Sequence, residues 1–489
     1  MDGLQVLETI SKINPWYKNN QVPKAQLESF QRREFQKLIP DLSKLDMATM
    51  IIGGRRVGKS VLMYQLIDHL LQNGTKQENI LFIQGDNPIL IEYLKDKNLL
   101  NVIFDIYQKY IIKNSFSELT DTVYIFIDEA QNISKWELEV KSIIDLKYKI
   151  KFIITGSSSR ELRQGAQNPL TGRIIVQTIP PFSFSDFIRY NVQSQQRESF
   201  ETYIDKPSHN FKTGLAESNI ELILSSAQQV VELTSHFNVK RKLDEYLYIG
   251  GFPWVLSHKD GDDIHKYLRD LLTTTISKDI LTQVEIRDTQ AFERLMVNLC
   301  LSSGNIIKYK NLAEVLGLDE RSVIKYVDYY VESHWAFISS PYFFHRKVDS
   351  VKSGKKIYVI DSGVMNTLTF KDENDLKSDR QYRGEVLENV IHNHLLAFKQ
   401  SLVGTFQNFI PYWQEEETNK EIDFIFESKN GVIPIEVKCK VNVDEDIPVL
   451  EYFLKERPSS KLSIITTEDV LQRRGNVLLM PYSILLMLL

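Results

Sequence analysis

Four short apolar runs mark the first third of the chain: Thr49–Ile52, Ile80–Gln84, Val123–Ile127 and Lys151–Thr155. Amphipathic helical segments lie between them. Short apolar runs alternating with helices predict βαβ units and a parallel sheet covered on both faces. Ahead of them, residues up to about Leu45 read as a polar lead. Residues 192–219 (VQSQQRESFETYIDKPSHNFKTGLAESN) turn polar again and read as a surface loop or insertion, and 220–290 as mostly helical. Three short helices are expected next, at Ala291–Ser302, Lys310–Leu316 and Asp319–Ser333, with Gly304 and Gly317 between them. Strands at Trp335–Ser339 and Lys356–Ile360 follow, and a final α/β region begins near Tyr382. The apolar tail Val477–Leu489 is shorter than the ~20 residues of a membrane span, so it predicts a buried terminal helix or strand.

The first run ends in Gly53-Gly54-Arg55-Arg56-Val57-Gly58-Lys59-Ser60, followed by Val61 and a helical stretch. This is the P-loop pattern G-x-x-x-x-G-K-[ST] in its proper place, between a strand and a helix. Glycines let the backbone curl so that its N–H groups face phosphate oxygens, and the helix N-terminus adds positive potential. Lys59 would reach the β- and γ-phosphates of ATP, and Ser60 would place its hydroxyl on Mg²⁺. The third run ends in Asp128-Glu129-Ala130-Gln131. A strand that delivers paired carboxylates to the C-terminal edge of the sheet sets Asp128 on Mg²⁺ and Glu129 on the attacking water.

The fourth run leads into Gly156-Ser157-Ser158-Ser159-Arg160. Thr155 or Ser157 fits the sensing of the γ-phosphate from a neighbouring strand. Leu170-Thr171-Gly172-Arg173 supplies an arginine that, offered to the next subunit's nucleotide, would offset transition-state charge. Arg160 competes for that role, and a plain surface arginine is the bland alternative.

In order, GGRRVGKS, YIFIDEAQ, ITGSSSR, LTGR and PPFSFSDF resemble the AAA+ ATPases widespread in bacteria and archaea. YIGGFPWVL, at Tyr248–Leu256, is similar to that family's marker between its ATPase and winged-helix parts. The resemblance implies an AAA+ ATPase core, a winged helix and a C-terminal domain of the PD-(D/E)xK nuclease type.

In the predicted helical trio, NLAEVLGLDERSVIKYVDYY places apolar residues at helical spacing around a glycine turn, as in helix-turn-helix motifs. The two strands would flank a wing carrying Arg346, Lys347, Lys352, Lys355 and Lys356. Ser303–Ile360 holds nine basic and six acidic residues inside a negative protein, a local reversal that suits DNA phosphates. A protein–protein module is the competing reading. Asp319 and Glu320 would repel DNA unless they face away.

Near the C-terminus, EIDFIFESKNGVIPIEVKCK contains two strand-like runs around Asn430-Gly431, a tight hairpin signal. Asp423 and Glu436 would then lie on adjacent strands, with Glu436 and Lys438 on one face. Two carboxylates and a lysine so placed are the core of restriction-endonuclease-type phosphodiesterases: the carboxylates hold Mg²⁺ and the lysine stabilises the nucleophile or transition state. Glu388, on the helix opened by Tyr382, resembles the glutamate that adds a further metal contact in such nucleases. The competing reading makes the carboxylates structural partners of Lys438 and neighbouring arginines instead.

With 489 residues the chain suggests two to four domains. Its 43% hydrophobic and 25% charged residues, net charge of −5 and pI near 6.1 are those of an ordinary soluble globular protein. Cys300 and Cys439 are the only cysteines, which excludes a disulfide scaffold and a cysteine-based zinc site. The start MDGLQVLETI lacks the basic opening and apolar run of a secretory signal. The expectation is therefore a cytoplasmic, multidomain α/β protein without membrane contact, and a homo-oligomer. Its expected parts are a lead (1–45), an AAA+ P-loop core (46–191), a polar insertion and helical connector (192–290), a winged helix (291–381) and a restriction-endonuclease-like domain (382–489). The expected function is Mg²⁺-dependent ATP hydrolysis acting on DNA, with a metal-dependent nuclease-like terminal domain. The alternative is a signalling or scaffold ATPase with an inert terminal domain. No further helicase motif supports a translocating motor.

Overall fold

The computed structural model describes residues 3–93, 99–156, 169–192, 194–258, 260–281, 284–342, 354–403, 409–415, 420–457 and 459–489. Ser157, Arg160, Arg346, Lys347 and Lys352 lie outside the described residues. The chain divides into two compact units, Met1–Ile179 and Pro180–Leu489.

The first unit is built on a parallel sheet ordered β2-β3-β4-β1-β5: β1 Ala48–Ile52, β2 Ile80–Gln84, β3 Val123–Asp128, β4 Ile150–Gly156 and β5 Ile174–Thr178. All four ladders are parallel. The β1 and β4 side chains are buried throughout, which is why these strands read as mostly apolar runs without a polar face. The edge strand β5 is half-buried along its length and did not stand out in the sequence.

The N-terminal segment is more than a polar lead. Helix Gly3–Ile13 sinks Val6 and Ile10 into the core of this unit. Just beyond it, the Asn14 amide donates to Phe82 O (2.9 Å) and accepts from Phe82 N (2.6 Å), while the Trp16 indole donates to Ile80 O (3.1 Å). Side chains thus fill the hydrogen-bonding edge of β2 that would otherwise be open to another strand.

The second unit begins with helices. The stretch expected to be a surface loop is instead part of a 24-residue helix, Ser194–Glu217, with Pro207 inside it. Its polar composition hides a stripe of Phe200, Ile204, Phe211 and Leu215, all fully buried, at near-helical spacing. Helices Ile220–His236, Val239–Ile249 and Gly261–Thr275 follow.

Three further helices, Thr289–Leu301, Tyr309–Leu316 and Glu320–Glu332, accompany an antiparallel sheet ordered β6-β8-β7. Its strands are β6 Ile306–Ile307, β7 Ala336–Ser339 and β8 Lys355–Val359. The terminal part carries a short pair, β9 Trp413–Gln414 with β10 Glu421–Ile422, and a mixed sheet ordered β11-β12-β13-β15-β14. Here β11 is Phe424–Ser428, β12 Gly431–Val437, β13 Ser463–Thr467, β14 Gln472–Arg474 and β15 Val477–Pro481. The apolar tail forms β15 and the buried helix Tyr482–Leu488. Among the described residues no helix is long and apolar enough to cross a membrane.

The YIGGFPWVL segment is a tight junction within this unit. The Asp361 carboxylate accepts from Gly251 N (2.7 Å) and Gly363 N (2.9 Å), and a Cβ on Gly250 would overlap that carboxylate. Burial pushes Asp361 up to about 6, although these backbone N–H groups oppose the shift.

Candidate nucleotide site and terminal carboxylate cluster

In the first unit, β1 runs into Gly53 and the helix Lys59–Gln72 starts directly after Gly58, whose φ of 103° suits glycine. A Cβ on Gly53 would collide with the Ile179 carbonyl. The loop is propped from outside by Arg32, a buried residue that the sequence reading passed over. Its Nη1 donates to Val57 O (2.9 Å) and its Nε pairs with Glu34 (2.7 Å). Lys59 is buried, and its ammonium donates to Gly53 O (3.0 Å) and Gly54 O (3.1 Å).

Strand β4 lies between β1 and β3, and this order brings three polar residues to one sheet edge. Ser60 Oγ donates to Asp128 Oδ2 (2.7 Å), while Thr155 Oγ1 donates to Asp128 Oδ1 and accepts from Glu129 N (2.9 Å). Burial raises Asp128 above the usual carboxylate range and Glu129 adds to it; the bonds from Thr155 and Ser60 and the charge of Lys59 oppose this. Glu129 has a left-handed backbone (φ 52°, ψ 50°), and its Oε2 accepts from Gln131 Nε2 (2.5 Å). Such a conformation costs ~1–3 kcal/mol in a non-glycine residue, and the Thr155 bond to Glu129 N helps hold it.

Ser60 and Asp128 together offer a hydroxyl and a carboxylate, a hard oxygen pair that fits Mg²⁺ once phosphate oxygens complete the shell. Arg173 lies at the other end of the sheet, at the start of β5: its carbonyl accepts from Ala48 N (2.8 Å). Its Nε pairs with Asp145 (2.6 Å).

Residues 46–188 match the family model of an AAA domain. The chain thus carries an AAA domain, a P-loop ATPase module. Residues 240–375 and 383–485 match two domains of unknown function. An uncharacterized protein of Methanocaldococcus jannaschii is 24% identical over 443 residues, covering 88% of this chain and 84% of its own length. One from Haemophilus influenzae is 22% identical over 417 residues, covering 84% and 87%. Among solved structures, the Aeropyrum pernix ORC1 protein in complex with DNA is similar at a TM-score of 0.28 and 9% identity, over 73% of this chain and 96% of that one.

Outside the AAA domain, the β11–β12 hairpin pairs Phe424 with Ile435 and sets Asp423 beside Glu436. Each carboxylate binds backbone next to the other: Asp423 N donates to Glu436 Oε2 (3.2 Å), and Val437 N donates to Asp423 Oδ2 (2.8 Å). Lys438 shares the face of Glu436 and pairs with its Oε1 at 2.6 Å. Glu388, on helix Arg380–Val403, accepts from Tyr358 Oη (2.7 Å) and from Lys356 (3.2 Å).

Lys356 requires a correction. The sequence placed it in a DNA-binding wing, but it lies on β8 with 2% of its surface exposed. Its ammonium contacts Glu388, Glu421 and, at 3.8 Å, Asp423. Burial alone would lower its pKa; the three carboxylates outweigh that and raise it. Burial lifts Glu388 to about 7 and Glu436 to about 8, with Asp423's charge adding to both and the lysines opposing.

The carboxylates expected to hold a metal are therefore already bound to cations and N–H groups of the chain. Among the described residues, no group of three or more His, Cys, Asp or Glu is placed to hold a metal ion. The cluster does not fit the three-carboxylate Mg²⁺ site expected of Glu388, Asp423 and Glu436.

Proposed function

We propose that this protein is a Mg²⁺-dependent ATP hydrolase that acts on DNA through the helix–sheet module that follows its AAA domain. The supporting observation is the Ser60–Asp128–Thr155 chain beside buried Lys59, at the sheet edge where the P-loop opens. In this reading the backbone from Gly53 to Val61 cradles the phosphates, and Lys59 leaves the Gly53 and Gly54 carbonyls to meet their charge. Mg²⁺ held by Ser60 and Asp128 would neutralise charge on the β- and γ-phosphates. Glu129 accepts a proton from the attacking water, and Gln131 and Thr155 fix where its carboxylate and backbone sit. Thr155 gives its hydroxyl proton to Asp128 and so positions the two acidic residues, while Ser157, the other candidate for sensing the γ-phosphate, lies outside the described residues.

Arg173 serves a neighbouring subunit in a homo-oligomer, because it starts β5 at the sheet edge opposite its own P-loop. The helix–sheet module over 291–381 is read as a winged helix that touches DNA phosphates. Asp319 counts against this reading: its carboxylate caps its own helix by accepting from Ser322 N and Oγ, but it is exposed and keeps its negative charge.

The terminal domain has two readings: a metal-dependent nuclease, or a PD-(D/E)xK-type fold that binds partners without cutting. The contacts of Lys356 favour the second. Mg²⁺-dependent phosphate release that survives Asp128→Asn would defeat the assignment of hydrolysis to this site. Cleavage of plasmid DNA with Mg²⁺ or Mn²⁺, lost in Asp423→Asn, would restore the nuclease reading.

A further inference from the structure

Lys356 gathers its partners from three separate segments. Glu388 comes from helix Arg380–Val403, Glu421 from β10, and Asp423 from the step between β10 and β11. The lysine itself belongs to the central strand of the β6-β8-β7 sheet. The Tyr412 ring lies 5.5 Å from the same ammonium, and Tyr412 Oη donates to Gly354 O (3.0 Å), two residues before Lys356. Gly304, at the entrance to β6, leaves the room that Glu388 needs: a Cβ there would stand 3.1 Å from Glu388 Oε2.

A buried ammonium without partners is prohibitively costly, and so are buried carboxylates facing one another without a cation. Each makes the other tolerable here. We propose that Lys356 is the resident cation of this cluster: it takes the charge role that a divalent ion has in nucleases of this fold. It thereby locks the β6-β8-β7 sheet to the terminal sheet, and the cluster takes up no divalent ion. This rests on the non-cleaving reading of the terminal domain, and not on ATP hydrolysis.

The test counts Mn²⁺ bound to the full chain without nucleotide, by electron paramagnetic resonance titration, in wild type and Asp423→Asn. Equal counts are expected, because any Mn²⁺ bound elsewhere is common to both. One more ion on the wild type would overturn the proposal. In Lys356→Met the melting midpoint of the second unit should drop by roughly 5–10 °C, since one side of a buried ion cluster is lost. Mn²⁺ should then recover part of the loss and bind in one additional equivalent. Lys356→Arg should keep both the midpoint and the wild-type count. A Lys356→Met protein that melts like wild type and gains no ion would equally overturn the proposal. If Lys356→Met does not fold, the comparison of wild type with Asp423→Asn still decides. ATP hydrolysis measured on the same wild-type sample separates the two claims, because its absence would leave the ion count standing.

Discussion

Thr155 and Asp128 sit on adjacent parallel strands, and the threonine hydroxyl donates to the carboxylate while accepting from the next residue's N–H. One hydroxyl thereby fixes both acidic residues at the end of β3. Thr155→Val keeps the branched shape and removes only that hydroxyl. Losing a bond to a buried charged group costs about 1.5–3 kcal/mol. ATP turnover should fall about tenfold or more, with a smaller change in nucleotide affinity, in steady-state and equilibrium-binding assays. Unchanged turnover would leave Ser157 as the better sensor.

Arg173 pairs with exposed Asp145, and a solvent-screened surface pair of this kind contributes little to stability. Arg173→Ala should therefore unfold much like wild type and bind ATP normally. Its hydrolysis should drop by about 10³-fold if the arginine completes a neighbour's site. Wild-type specific activity should also rise with protein concentration. Concentration-independent turnover by a protein shown to be monomeric in the ultracentrifuge would rule this out.

Burial pushes the Glu34 carboxyl up, but the Arg32 guanidinium and Lys37 outweigh it and hold the group at about 2. A depressed folded pKa means stability that is present above the ordinary value of 4.5 and lost as pH falls toward 2. Glu34→Gln should cost about 1–2 kcal/mol at pH 7. Its gap to wild type should narrow steadily below about pH 4.5, as read from urea midpoints. A gap independent of pH would show that the ion pair contributes nothing.

Lys308 and Lys310 are exposed at the start of helix Tyr309–Leu316, and Lys355 pairs across β6–β8 with Ile307. If these three meet DNA phosphates, changing all of them to Gln should weaken binding to unrelated sequences about equally. The slope of log affinity against log salt should shrink by about 0.9 per lost contact. An unchanged slope would point to a protein partner for the module.

Much of the nucleotide site was legible because its residues are contiguous and its strands are buried on both faces, so the apolar runs mark them directly. Lys356 was not. The alternation that put Glu436 and Lys438 on one face would have put Lys356 and Tyr358 on one face of β8 as well. What no pattern could supply was that this face meets a helix some thirty residues on. The helix Ser194–Glu217 was missed for a different reason: its four buried apolar residues are diluted by glutamine, serine and charge, so composition masked the period. Asn14, Trp16 and Arg32 act through single side chains on distant backbone atoms, and such contacts leave no period to read.

The central claim is that Glu129 is the base of an ATP-hydrolysing site that Lys59 and Ser60 assemble. Single-turnover hydrolysis with radiolabelled ATP, run beside equilibrium binding, tests it on three proteins. Wild type should bind and hydrolyse. Lys59→Ala should bind at least about tenfold more weakly, because it loses a phosphate-binding charge. Glu129→Gln should bind as wild type does while hydrolysis slows by about 10²–10⁴-fold, leaving ATP intact on the protein. Wild-type hydrolysis by Glu129→Gln would contradict the account.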